Sequence, residues 1–144
     1  MPIVRKSALV PHSATQMFDL VADMESYPEF LPGGRAAEIV SREDKQFCGR
    51  MEVGRLGIRQ AFTTCNRFEP GERMELDLVD GPFRKLHGAW TFLPLRDDAC
   101  KVELELDFEF SGRLIDKAFG KVFSQIADTL VDAFCKRAEE VYRG

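Results

Sequence analysis

From Lys101 to Phe110 the chain alternates without a break. Val102, Leu104, Leu106, Phe108 and Phe110 interleave with Lys101, Glu103, Glu105, Asp107 and Glu109. A period of two sends one set to a dry face and the other to water, as in a half-buried strand. Met74, Leu76 and Leu78 repeat the pattern, as do Leu86, Trp90 and Phe92. Gly71 and the Asp80-Gly81-Pro82 turn separate these runs. Residues 35–42, 46–53 and 58–68 carry a less regular form of the same signal, and Ile3 to Val10 predicts a first strand ended by Pro11. Strands that follow one another through short turns predict an antiparallel meander.

Two stretches depart from period two. Ser13 with Gln16 three residues on has the spacing of a capping box, and Met17, Phe18, Val21 and Ala22 then share one helical stripe. The prolines of residues 26–34 permit only a short helical turn before Gly33-Gly34 release the chain into the sheet. After Gly112 the period returns to 3.6. Leu114, Ala118, Val122, Ile126, Leu130, Phe134 and Val141 trace an apolar stripe opposite Asp116, Lys121, Asp128, Asp132, Lys136 and Glu139. Some 30 helical residues extend ~45 Å. A nine-residue strand extends about 30 Å, so this helix must cross the sheet. The expected fold is α+β: one domain over residues 1–144, two short helices after the first strand, and a curved antiparallel sheet wrapped around a long C-terminal helix. The space between sheet and helix is either a filled core or a pocket.

Composition narrows what that space could serve. Of 144 residues, 44% are hydrophobic and 31% charged, the balance of a folded domain. Twelve phenylalanines against two tyrosines and one tryptophan suit an apolar interior better than a polar recognition surface. The net charge of −4 argues against RNA and DNA alike as partners, a local basic patch aside. The N-terminus lacks the apolar core of a signal peptide, and no uncharged run approaches the ~20 residues that span a bilayer. A cytoplasmic location is expected, with at most peripheral contact at a membrane surface. Cys48, Cys65, Cys100 and Cys135 form no C-x-x-C pair and neither histidine lies near them in sequence. The expectation is four free thiols and no metal site.

No catalytic motif is present: no nucleophile elbow, no phosphate loop, no H-E-x-x-H. His87 falls in the wet phase of its strand and reads as a surface histidine. Glu103, Glu105, Asp107 and Glu109 stand about 6–7 Å apart on one solvated face. The candidates are therefore for binding. If the inward phases line a pocket, its walls are Phe18, Tyr27, Phe30 and Leu31 from the helical segment, and Gln60, Phe62, Thr64, Leu76 and Leu78 from the middle strands. Trp90, Leu104, Leu106 and Phe108 come from the last strands, and Phe119, Val122 and Ile126 from the long helix. Gln60, Thr64 and Asn66 would set polar groups among apolar walls, unless a bulge turns them to water. Gly120 within the helix marks either close packing or close approach of a ligand. Arg50, Arg55, Arg59 and Arg67 against Glu52 leave a local excess of +3, either a solvated face or a dock for an anionic partner.

Several of these segments carry a family resemblance. Ala8-Leu9-Val10-Pro11, Ser26-Tyr27-Pro28-Glu29-Phe30-Leu31-Pro32-Gly33 and Val79-Asp80-Gly81-Pro82-Phe83 resemble the RatA-type proteins of the coenzyme Q-binding branch of the START-like (polyketide cyclase) superfamily. Leu86-x-Gly-x-Trp90-x-Phe92, Leu106-Asp107-Phe108-Glu109-Phe110 and Ala133-Phe134-x-x-Arg137-Ala138 complete the set, which spans nearly the whole chain in order. The cysteine usual after the first glycine of the proline-rich segment is Gly34 here. The resemblance implies the helix-grip fold with an apolar tunnel between sheet and helix. It also implies two activities: ubiquinone binding in support of respiration, and a toxin activity that blocks association of ribosomal subunits.

Three readings follow. The first is a non-catalytic carrier of ubiquinone or a related polyprenyl lipid, requiring no cofactor. Burying one five-carbon isoprene unit is worth up to ~4 kcal/mol, so two or three units suffice for binding. The second is an inhibitor that docks on the large ribosomal subunit through the basic stretch. The third, a polyketide cyclase-like enzyme, lacks an acid–base pair.

Overall fold

The computed structural model describes residues 3–55 and 57–142, without the side chains of Arg55 and Ile58. Strand β1 (Ile3–Val10) leads into helix α1 (Ala14–Ala22), a 3-10 helix (Met24–Glu29), and strands β2 (Gly34–Glu43), β3 (Gln46–Arg55), β4 (Ile58–Glu69), β5 (Arg73–Asp80), β6 (Phe83–Arg96) and β7 (Ala99–Phe110). Helix α2 (Arg113–Val141) closes the chain. The seven strands form one antiparallel sheet in the order β1-β7-β6-β5-β4-β3-β2, curved around α2. This is the helix-grip fold expected from the sequence.

Local chemistry accounts for the two short helices. The Ser13 hydroxyl accepts from the Gln16 amide at 3.1 Å, while the Gln16 side chain accepts from the Ser13 amide at 2.9 Å. Both halves of the capping box are made, and α1 begins where the sequence places it. Pro28 keeps the next segment to 3-10 geometry. Gly33 then adopts φ +84°, a left-handed conformation open to glycine, and turns the chain into β2.

Helix α2 buries a different stripe from the one read along the chain. Its inward residues are Phe119, Phe123, Ile126, Ala127, Val131, Phe134 and Ala138, whereas Leu114 is 84% exposed and Val141 48% exposed. The reason is geometric. A row taken strictly every fourth residue drifts ~40° per step, so five steps from Leu114 to Phe134 carry it ~200° around the helix. Leu114 and Phe134 cannot share a face. Gly120 settles as close packing: a Cβ there would lie 2.6 Å from Asp116 Oδ1 and 3.5 Å from the Phe110 ring of β7.

Candidate functional site

Between α2 and the sheet lies a cavity of about 90 Å³. Met24, Tyr27 and Leu31 of the proline-rich segment close one side. The floor is built from inward positions of five strands, among them Met51, Phe62, Met74, Trp90 and Leu106, and the roof from Phe123, Ile126, Leu130 and Phe134 of α2. The space survives because the aromatic rings, those of its own wall included, pack against one another toward its two ends. Phe83, Phe108, Phe110 and Phe119 crowd around Phe123 with centroids 4.8–5.9 Å apart, filling the end where α2 begins. At the other end Phe134 meets Tyr27, Phe30 and Trp90 edge-on at 5.2–5.3 Å. Ala127 supplies no bulk between them.

Half of the wall residues expected from sequence stand here: Tyr27, Leu31, Phe62, Thr64, Leu76, Trp90, Leu106 and Ile126. The others lie off the cavity wall. Phe18 packs on Phe68 and Phe92, beyond the α1 end. Phe30 sits behind Phe134 under the Arg137 guanidinium, 5.0 Å from its ring. Phe108 and Phe119 belong to the aromatic cluster, and Leu104 is buried where β7 meets Trp90 of β6. Gln60, Leu78 and Val122 are half-buried. Met24, Met51, Val53, Met74, Leu86, Phe123 and Phe134 were not among the expected wall residues. For Met51 and Val53 the alternation with Phe47 and Gly49 was a usable signal; for Phe123 it was the true 3.6 phase of α2.

The chemistry of the wall is almost uniformly apolar. Thr64 and Asn66, 4% and 5% exposed, are its polar exceptions. The Thr64 hydroxyl donates to Asn66 Oδ1 at 2.8 Å, and Asn66 Nδ2 donates to the Met74 sulfur at 3.7 Å. A thioether accepts weakly and cannot donate, so the amide nitrogen rather than its oxygen belongs on that side. The Tyr27 hydroxyl donates to the Val21 carbonyl, and burial, aided by the Asp23 charge, pushes its pKa up. No lining residue carries a charge at neutral pH.

The cysteines require a correction. Cys48 of β3 and Cys65 of β4 are directly paired in register and joined as a disulfide, with Cα atoms 4.0 Å apart. A sequence separation of 17 hid a contact that the hairpin makes immediate. Cys100 and Cys135 are free thiols, and burial pushes both pKa values up, with Cys135 adding to Cys100 and the Asp132 and Glu139 charges to Cys135. Such thiols are poor nucleophiles. Alkylation of the denatured, unreduced protein is expected to tag two cysteines, and four after reduction. Four tags without reductant would show that the bridge does not form.

The outer face of the sheet is a lattice of matched charges. Arg5 meets Glu105 at 3.1 Å, Lys85 meets Asp107 at 2.7 Å, and Lys101 and Arg84 hold Glu103 and Glu109. His87 is exposed beside Asp77 at 2.6 Å. The expected basic dock is largely cancelled. Arg59 pairs with Glu52 at 3.1 Å, and Arg67 with Glu75 and Asp77 at 3.5 Å each. Arg50 is exposed opposite Glu38, and the Arg55 side chain lies outside the described residues. Among the described residues no three potential metal ligands cluster and no helix is long and apolar enough to cross a membrane.

Comparison with known proteins places this geometry. Residues 10–135 match the family model for polyketide cyclase / dehydrase and lipid transport. The persistence and stress-resistance toxin PasT of Escherichia coli O6:H1 is 47% identical over 99% of this chain and 90% of its own length. The ribosome association toxin RatA of Escherichia coli K12 is 46% identical with the same coverage. The Zhui aromatase/cyclase of Streptomyces sp. R1128 superposes with a TM-score of 0.87 over 99% of this chain and 96% of its own, at 16% identity, a likeness of fold.

Proposed function

Because the chain belongs to the polyketide cyclase / dehydrase and lipid transport family and stands close to the RatA and PasT proteins, we propose that it acts by binding, on the ribosome. It docks on the large ribosomal subunit and hinders subunit joining. The observation that carries this reading is 46% identity to a ribosome association toxin across 99% of the chain. A match of that length spans every element of the fold, outer surfaces included. A cytoplasmic location goes with it. Sucrose-gradient profiles are the test: purified protein added to separated subunits should lower the fraction that reassociates as magnesium is raised. An unchanged profile at tenfold molar excess of protein would remove the reading.

The ranking reverses the one drawn from sequence, and the cavity supplies a physical reason. A cavity of about 150 Å³ accommodates benzene. At about 90 Å³ the space here is smaller than that, so two or three isoprene units need the walls to move. Binding of a smaller or partly inserted apolar ligand is a second reading, favoured by one observation: Thr64 and Asn66 place a single buried polar spot on an uncharged wall. A neutral ligand with a carbonyl would displace the Met74 sulfur as partner of Asn66, exchanging a weak acceptor for a good one. Asn66→Leu is therefore expected to weaken a small ketone about tenfold while sparing its parent hydrocarbon. Chemical shifts of the Met24, Met51 and Met74 methyl groups report both titrations. Equal losses for the two ligands would reduce Asn66 to a wall residue.

A further inference from the structure

The docking reading asks for a basic surface, and the stretch from Arg50 to Arg67 does not supply one. A different row does. Arg113, Lys117 and Lys121 lie at i, i+4 and i+8 on α2, all exposed. Such a row is about 12 Å long and turns through ~80°, so its three charges share one side of the helix. None of them has an ion-pair partner among the described residues. Over residues 113–123 three cations face one carboxylate, Asp116, leaving +2.

The contrast with the other cations is what singles this row out. Arg5, Lys45, Arg59, Arg67, Arg84, Lys85 and Lys101 are each matched by a carboxylate. Arg35 also lacks an ion pair and donates to the Gly54 carbonyl at 3.2 Å; Arg42, Arg50 and Lys136 lack them too, but each stands alone among acids. Glu43 and Asp44 follow Arg42, Glu38 is opposite Arg50 in register, and Asp132 and Glu140 flank Lys136 one turn away. The row is also placed against local stability. A helix dipole favours acids in the first turns and bases in the last. Here Arg113 and Lys117 occupy the first two turns, and the last turn holds no base. The helix gains nothing from these charges where they are.

We propose that Arg113, Lys117 and Lys121 bind the phosphate backbone of RNA and form the contact by which the protein seats on the ribosome, an inference that rests on the ribosome reading. Phosphates attract exposed, unpaired cations without demanding sequence, and this edge carries three of them in a row with a local charge of the matching sign. An anionic membrane fits less well. A helix lying in a lipid interface needs a full apolar face beside its cations. On this half of α2 Leu114 is the single large apolar side chain so exposed, while Phe119 and Phe123 are turned into the core.

The test compares the triple variant Arg113→Ala, Lys117→Ala, Lys121→Ala with a control triple, Arg50→Ala, Arg59→Ala, Arg67→Ala. Alanine at exposed helical sites preserves the helix, and circular dichroism checks it. The single variant Lys117→Glu serves as a second probe. Cosedimentation with isolated large subunits is measured over a salt series. The α2 triple is expected to bind at least tenfold more weakly at 0.1 M salt. Its log–log salt slope should fall by about 2–3, at ~0.7–0.9 for each of three lost phosphate contacts. The control triple should follow the wild type. If the wild type binds subunits and the α2 triple binds equally with the same slope, the row is wrong and the ribosome reading stands. If the wild type itself ignores subunits, both fall. Binding to phosphatidylglycerol vesicles but not to subunits, lost in the α2 triple, would assign the row to a membrane instead.

Discussion

Phe123→Ala is expected to remove about 3–5 kcal/mol of folding stability. The Phe123 ring is 5% exposed and meets five others: Phe62, Phe83, Phe108, Phe110 and Phe119, with centroids between 4.8 and 6.1 Å. Those rings come from β4, β6, β7 and α2 itself, so one side chain ties the helix to three strands. Truncation loses the transfer energy of the ring and leaves a hole that five rigid neighbours cannot close. Domains of this size are stable by roughly 5–15 kcal/mol, which puts the variant near the edge of folding. Leu114→Ala, at an 84% exposed position on the same helix, should change stability by less than about 0.5 kcal/mol. Urea titrations of the two variants measure the difference as a shift in midpoint with little change in slope. A loss below 1 kcal/mol for Phe123→Ala would mean that the aromatic cluster does not seat the helix.

The contrast between Phe123 and Leu114 also shows how far the chain could be read. Alternation from Lys101 to Phe110 fixes β7 because a strand's period is an integer, and the phase holds over its whole length. β1 was legible only as a run ended by Pro11, since its apolar Ile3 and Leu9 stay exposed, while Ser13 and Gln16 fix the start of α1 through a pattern of two hydrogen bonds. The period of α2 is not an integer. Two candidate stripes run along it, and choosing between Leu114 and Phe123 needs the sheet underneath. Cavity residues share that difficulty. Inward direction was legible for Thr64, Leu76 and Trp90, but whether an inward side chain borders space or another ring depends on neighbours from distant strands. Phe108 and Phe110 point inward correctly and meet Phe123 rather than a cavity. Cys48 and Cys65 fail for a related reason: the pairing depends on the register of the β3–β4 hairpin.

Charge behaves in the same way. Counting residues from Arg50 to Arg67 gives an excess of cations, yet the partners that cancel it come partly from another strand. Glu75 and Asp77 of β5 lie beside Arg67 because β4 and β5 pair. Along α2 no strand stands opposite the exposed face, so the composition of residues 113–123 survives folding as surface charge. A local excess becomes a docking surface only where the fold supplies no counter-ion.

Ile126 offers the other large effect, and it has two directions. Its side chain is 6% exposed and stands between the cavity and a shallow surface depression bordered by Pro32, Gln125, Asp128 and Thr129. It closes over Gly33: a Cβ at that glycine would fall 2.6 Å from Ile126 Cδ1. Ile126→Ala should cost about 2–5 kcal/mol and join the cavity to the outside through the gap at Gly33. Ile126→Trp should instead fill the space, at a cost of about 1–3 kcal/mol for overpacking. Benzene separates the two variants. At a hundredfold excess over its dissociation constant a ligand returns about 2.7 kcal/mol to the protein that binds it. Thermal melts of Ile126→Ala should therefore rise by several degrees with benzene, those of Ile126→Trp should not move, and the wild type should respond weakly. An alanine variant that is destabilised yet indifferent to benzene would mean that the walls collapse into the gap, and the apolar-ligand reading would then fail while docking on the ribosome is untouched.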